Sequence, residues 1–222
     1  MSKTDLPQPG LPFTRRVEGP PPYRESAEQA ALVTQLRRFI ARMKASPSGL
    51  TTVIVIGPKG CGKTRALREA QRSATPLDAV TLDTGDIGPL DLFGEINRAA
   101  AARIPLVLEN RKSLRRWFEE HDDVPPDLLS RLGAVPLLPL DRPQAGDFIA
   151  PLSADLALHG LRLSAPEIAS VAERLPRDFG AVRAFCEALD QAPPHFSRRE
   201  LLQWGAEKVH VLMQEGDGER GE

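Results

Sequence analysis

The 222-residue sequence predicts a parallel α/β sheet built around a phosphate-binding loop, followed by a small all-helical domain. Three observations carry this expectation. A continuous β-branched run from Thr52 to Ile56, of the kind buried in a parallel sheet, leads straight into Gly57-Pro58-Lys59-Gly60-Cys61-Gly62-Lys63-Thr64 and then into a helical pattern. Further strand-like runs alternate with helical stretches up to about residue 141, which is how parallel sheets are laid down along a chain. From Pro143 onward the segments are apolar-periodic, with no strand between them.

The elements follow in order. Residues 1–25 carry six prolines and no long apolar run, so they read as an extended arm and match neither a signal peptide nor a membrane span. Ser26 with Gln29 has the spacing of a capping box, and Leu32, Leu36, Phe39, Ile40 and Met43 then share one helical face. Ser46-Pro47-Ser48-Gly49 ends that helix. After the loop and a helix to about Ser73, strands are expected at 79–83, 105–109 and 135–140, with helices near 90–102 and 124–132. Capping boxes at Ser164–Glu167 and Ser197–Glu200, and a cap at Asp178, start three later helices. Pro151 lies inside the segment before them and predicts a kink or break. Glu215 to Glu222 cannot bury anything and reads as a disordered tail. The expected organisation is therefore an arm (1–25), an α/β domain (26–141), a helical domain (142–213) and a tail (214–222).

Composition narrows the function classes. The 29 basic and 30 acidic side chains nearly cancel, which argues against non-specific nucleic-acid binding and makes any DNA association indirect. Cys61 and Cys186 are far apart, and the four histidines lack the partner spacing of a metal site or a triad. A reducing, cytoplasmic setting is expected, with no membrane partner.

The loop from Gly57 to Thr64 satisfies the Walker A pattern in full. Its glycines let backbone N–H groups turn inward around phosphates, and the following helix adds its positive end. Lys63 would reach the β- and γ-phosphates of ADP or ATP, and the Thr64 hydroxyl would ligate Mg2+. Such loops need an acid on a neighbouring strand for the magnesium shell. Asp83, closing Ala79-Val80-Thr81-Leu82, is the first candidate, with a turn-capping role as its alternative. Glu109 is the competing candidate.

Together these segments resemble a known family. Gly57 to Thr64, Leu82-Asp83, Asp91-Leu92-Phe93 to Asn97, Pro126-Asp127-Leu128-Leu129-Ser130-Arg131-Leu132 and Leu175-Pro176-Arg177-Asp178 occur in the order seen in the DnaA-related AAA+ proteins. The chain is most similar to the Hda-type branch, regulatory inactivators of the replication initiator DnaA, from about residue 7 to about 205. The resemblance implies an AAA+ P-loop sheet with a C-terminal helical lid. It also implies Asp83 as the Walker B acid, Asn110 as sensor I near the γ-phosphate, Arg131 as an arginine finger acting on a neighbouring subunit's nucleotide, and Arg177 as sensor II. On sequence alone, Arg131 and Arg177 read equally as solvated surface arginines. Thr84 stands where a hydrolysing relative carries a second acid, which implies weak intrinsic hydrolysis. About twenty residues separate Lys63 from Asp83, too few for the strand and helix found there in the family, so one edge strand is expected to be missing.

The arm carries a further likeness. Gln8-Pro9-Gly10-Leu11-Pro12-Phe13 is similar to the peptide by which replication proteins dock on the bacterial sliding clamp, the β subunit of the polymerase. Leu11 and Phe13 would anchor in an apolar pocket while Gln8 fixes register. A Pro-rich linker is the plain alternative. The implied function is a nucleotide-bound, clamp-docked regulator that stimulates hydrolysis of DnaA-bound ATP. The rivals are a self-sufficient ATPase such as a helicase loader or clamp-loader-like subunit, and a clamp-bound adaptor without catalysis. A DnaA-like initiator is disfavoured, since no helix-turn-helix segment or basic stripe is visible. The resemblance leaves a homodimer open.

Overall fold

The computed structural model describes residues 25–45, 50–193 and 195–218. They form two compact units that divide between Arg142 and Pro143.

The first unit begins with α1 (Ala27–Ala45). Its start is a reciprocal cap: Gln29 N–H donates to Ser26 Oγ (3.2 Å), and Ser26 N–H donates to Gln29 Oε1 (3.1 Å). Two orphan donors of the first turn are thereby satisfied. Leu32, Leu36, Ile40 and Met43 form its buried face. Arg37 donates to the Thr75 carbonyl and to Ser73 Oγ, and Lys44 pairs with Asp78, so α1 is tied to the segment that follows α2 (Lys63–Arg72).

The sheet has four parallel strands among the described residues: β1 (Thr52–Ile56), β2 (Val80–Asp83), β3 (Leu106–Asn110) and β4 (Leu137–Pro139). Their spatial order is β2-β3-β1-β4. β1 and β3 are central, and their Val53–Val55 and Leu106–Leu108 stretches are apolar and buried, as in strands covered on both faces. Val53, Val55 and Val107 pack with Leu32, Leu36, Leu67 and Ala70 on the face carrying α1 and α2. Ile54, Leu106 and Leu108 pack on the other face with Leu92 and Ile96 of α3 (Pro89–Ala102), Trp117 of α4 (Leu114–Glu119), and Leu128 and Leu132 of α5 (Pro126–Ala134). The sequence did not predict α4 or the 3-10 turn at Thr84–Asp86, both too short to show a period.

The second unit is all helical among its described residues: α6 (Ala145–Leu158), α7 (Ala165–Arg174), α8 (Gly180–Asp190) and α9 (Arg198–Gly218). Phe148, Leu152, Leu156, Val171, Phe185, Leu189 and Val209 form its core. The capping boxes at Ser164–Glu167 and Ser197–Glu200 are in place, and Asp178 accepts from Gly180 N–H at 2.6 Å.

Of the kink or break expected at Pro151, the break does not occur: α6 runs through it as one helix. Proline removes one bond, to the Asp147 carbonyl, while Phe148, Leu152 and Leu156 keep both sides of that turn anchored in the core. α9 runs to Gly218, into the first residues of the segment expected as a tail. Extending a helix already anchored by Val209 adds one hydrogen bond per residue fixed, without a new nucleus. No helix of the described residues is long and apolar enough to cross a membrane.

Candidate functional site

The candidate site lies at the carboxyl ends of the strands, where open parallel α/β sheets place ligands. β1 ends at Ile56, and Gly57 passes between the ends of its two neighbours. Its N–H donates to the Asn110 carbonyl of β3 (3.1 Å), while the Leu140 N–H beyond β4 donates to the Ile56 carbonyl (2.8 Å). A side chain cannot fit there: a Cβ on residue 57 would stand 2.1 Å from the Leu140 carbonyl oxygen. Gly60 and Gly62 have φ of 77° and 90°, the left-handed region that turns successive amides inward. Gly62 is also the residue on which α2 starts, so the first amides of that helix open onto the loop.

Lys63 is buried (6% exposed) and curls back over the loop. Its ammonium donates to the carbonyls of Gly57 (2.6 Å) and Pro58 (3.0 Å) and approaches Cys61 Sγ at 3.6 Å. The next residue, Thr64, donates its hydroxyl to Glu109 Oε2 at 2.6 Å. Glu109 is 5% exposed, and burial, helped by the neighbouring Asp83 charge, raises its pKa. The Thr64 hydrogen bond and the charges of Lys63 and Arg68 act in the opposite direction.

Asp83 is placed differently. It is the strand partner of Glu109 in the β2–β3 register, one strand further from β1. One carboxylate oxygen accepts from Gly85 N–H (2.9 Å), capping the 3-10 turn, and the other pairs with Arg111 (3.2 Å). The acid in contact with the loop motif is therefore Glu109. Thr84, where the resemblance implies a missing second acid, is buried (3% exposed); its hydroxyl donates to the Glu109 carbonyl (3.0 Å), and its own carbonyl accepts from Trp117 Nε1 (3.1 Å). It pins β3 and α4 to the turn.

Asn110 is buried, and its Oδ1 accepts from Lys112 N–H (3.1 Å). Its Nδ2 is the one buried side-chain polar atom among the described residues without a hydrogen-bond partner. An unmade bond of that kind carries a desolvation cost and calls for an explanation. Strand alternation puts its side chain on the face opposite to that of Glu109.

No family model matches the chain, and no curated protein is similar to it in sequence. Solved structures are informative. Domain III of the Thermotoga maritima replication initiation protein DnaA superposes with a TM-score of 0.60 at 11% identity, over 84% of this chain and 95% of that one. This chain shares that domain's fold. C. elegans PCH-2 aligns over 84% of this chain and 67% of its own at 12% identity, with a TM-score of 0.37, too low to add to the argument. The likeness is thus to the fold of that domain alone, an α/β unit with a small parallel sheet plus a helical unit.

Arg131 and Arg177 have partners of their own. Arg131 is exposed on α5, with its guanidinium over the Phe93 ring at 5.4 Å. Arg177, in the second unit, donates to the Ala172 carbonyl (3.1 Å), pairs with Glu173 (3.1 Å) and lies over the Phe148 ring at 5.9 Å. Lys59 belongs to the loop itself, between Pro58 and Gly60. Gln8, Leu11 and Phe13 fall outside the described residues. The sequence reading missed the Thr64–Glu109 bond as a determinant, although Glu109 was legible as an acid at a strand end. Arg111 carried no signal at all.

Proposed function

We propose that the chain is an Hda-like regulator of replication initiation that binds ADP or ATP with Mg2+ at the loop from Gly57 to Thr64. The observation carrying the nucleotide part is the loop itself. A glycine cradle with two left-handed glycines at the start of α2, a buried lysine, and an acid bonded to the threonine hydroxyl form a donor set suited to a phosphate chain with its cation. Lys63 would exchange its bonds to the Gly57 and Pro58 carbonyls for phosphate oxygens. The unpartnered Asn110 Nδ2 supports the sensor I reading, since a sensor needs a free donor.

The regulatory part rests on the order of the sequence motifs and on the fold shared with a DnaA domain. In this reading Arg131, exposed and lying over the Phe93 ring, completes the nucleotide site of ATP-bound DnaA. Arg177 would leave its α7 partners to meet the nucleotide, and Gln8, Leu11 and Phe13 would dock on the sliding clamp. DNA is then reached through the clamp. A self-sufficient ATPase is the second reading, favoured by one observation: Glu109 supplies a buried acid beside Thr64 within this chain.

The nucleotide part is tested by titrating a fluorescent ADP analogue into the wild type and Lys63→Ala. Saturable binding lost in Lys63→Ala is expected. No binding to folded wild-type protein, or equal binding by both, would overturn it.

A further inference from the structure

We infer that the outer face of α1 and α2 binds the sugar-phosphate backbone of duplex DNA directly, apart from the nucleotide site. Whole-chain totals, from which indirect contact with DNA is expected, conceal a segregation of charge. Between Ala27 and Asp78 there are nine basic side chains and three acidic ones, Glu28, Glu69 and Asp78. Eight of the nine cations lie on α1 and α2, which pack together on one face of the sheet. Arg37 joins the two helices by donating to Ser73 Oγ (3.0 Å), so the Arg37–Arg38 turn of α1 meets the Arg72 end of α2.

The pairing of these cations differs from that in the rest of the chain. Elsewhere exposed arginines meet acids at helical spacing, as in Arg115–Glu119, Arg116–Glu120, Arg177–Glu173 and Arg183–Glu187. On α1 and α2 the same spacing sets like charges together, Arg38 with Arg42 and Arg68 with Arg72, which weakens a helix. All four are exposed, and none forms an ion pair among the described residues. Arg37 bonds to neutral groups, the Ser73 hydroxyl and the Thr75 carbonyl, while Lys44 is paired with Asp78. Such a face carries a positive field that a polyanion relieves.

The other side chains of the face select the polyanion. None of the exposed large apolar side chains among the described residues lies on α1 or α2. A membrane-lying helix needs them to enter the lipid, and a protein interface needs them for its dry centre. Single strands are held by stacking bases on aromatic rings, and the one aromatic of these helices, Phe39, is partly buried against the core. Thr34 and Gln35 are exposed on α1, and together with arginine they are side chains that bond to phosphate and sugar along a duplex. A guanidinium grips phosphate with two parallel bonds. Contacts of this kind read no base sequence. The choice of DNA over duplex RNA rests on the replication reading above.

The test is fluorescence anisotropy of a short labelled DNA duplex of arbitrary sequence, titrated with the full chain between about 50 and 200 mM salt. The wild type is expected to bind, more weakly as salt rises. An Arg38→Ala, Arg42→Ala, Arg72→Ala triple should bind about tenfold or more weakly at low salt, with a salt slope smaller by about 2–3. Lysine at the same three positions keeps the charge and should restore most of the slope. An Arg98→Ala, Arg115→Ala, Arg183→Ala triple removes equal charge from arginines paired with acids and should bind like the wild type. Thermal midpoints confirm that each variant is folded. No binding by the folded wild type at low salt, or equal loss in both alanine triples, would overturn the inference. So would tighter binding to duplex RNA of the same length, or binding to phosphatidylserine vesicles without binding to DNA. Because the assay contains no DnaA, clamp or nucleotide, its failure leaves the regulatory reading standing.

Discussion

Thr64 and Glu109, 45 residues apart in the chain, are joined by a 2.6 Å hydrogen bond that links the end of the phosphate-loop motif to β3. The bond also satisfies a carboxylate that is 5% exposed. Thr64→Val removes the donor and leaves Glu109 buried with less support. A stability loss of about 1–3 kcal/mol is expected in urea unfolding. A change below ~0.5 kcal/mol would mean that the bond is not maintained in solution.

Gly57 is fixed by the backbone just beyond β4, at Leu140. Gly57→Ala would push a Cβ into the Leu140 carbonyl, a contact with backbone that cannot swing away. About 1–3 kcal/mol of destabilisation is expected from this overpacking, seen as a lower thermal midpoint. An unchanged midpoint would show that the loop relaxes without cost.

Thr84 speaks to hydrolysis. Because its side chain is buried and bonded to the Glu109 carbonyl, an acid there would have to enter a covered position. Thr84→Glu is therefore expected to destabilise the α/β unit by several kcal/mol, of order ~3. It would not create a catalytic base. Gain of ATP turnover by a stably folded Thr84→Glu protein would contradict this placement.

Glu167 gives the helical unit an acid sensitivity. Its pKa is lowered from the ordinary 4.5 to about 2, first by the Arg198 guanidinium and then by the Ser164 hydroxyl and amide. A depressed carboxylate contributes stability that is present above its unfolded value and is lost as pH falls through its folded one. The window is therefore pH 4.5 down to about 2. Followed by Trp204 fluorescence in a Trp117→Phe background, the thermal midpoint should fall across that window. Glu167→Gln should start lower at neutral pH and lose less. Parallel pH curves for the two proteins would rule out the contribution.

The sequence made much of this architecture legible, for identifiable reasons. Thr52 to Ile56 was readable because a strand buried on both faces must be continuously apolar, and α1 because Ser26 and Gln29 sit at cap spacing before a periodic face. The loop was readable because its glycines answer to backbone geometry that no other residue satisfies cheaply. The choice of acid was not. Asp83 and Glu109 both end strand-like runs, and which one meets Thr64 depends on strand order, a tertiary fact. Pro151 did not break α6, where Phe148, Leu152 and Leu156 anchor the helix on both sides of it. The bond from Trp117 to Thr84 spans 33 residues and leaves no local trace.

The regulatory claim turns on Arg131, whose ring contact with Phe93 contributes about 0.5–1 kcal/mol at an exposed site, so its removal should leave the fold intact. The most direct measurement loads DnaA with labelled ATP, adds sliding clamp assembled on DNA, and follows conversion to ADP with the wild type, Arg131→Ala, and a Leu11→Ala, Phe13→Ala double variant. The account expects the wild type to accelerate conversion and both variants, folded and nucleotide-bound, to lose that acceleration. A folded, nucleotide-bound wild type without effect, or an Arg131→Ala protein as active as the wild type, would contradict it.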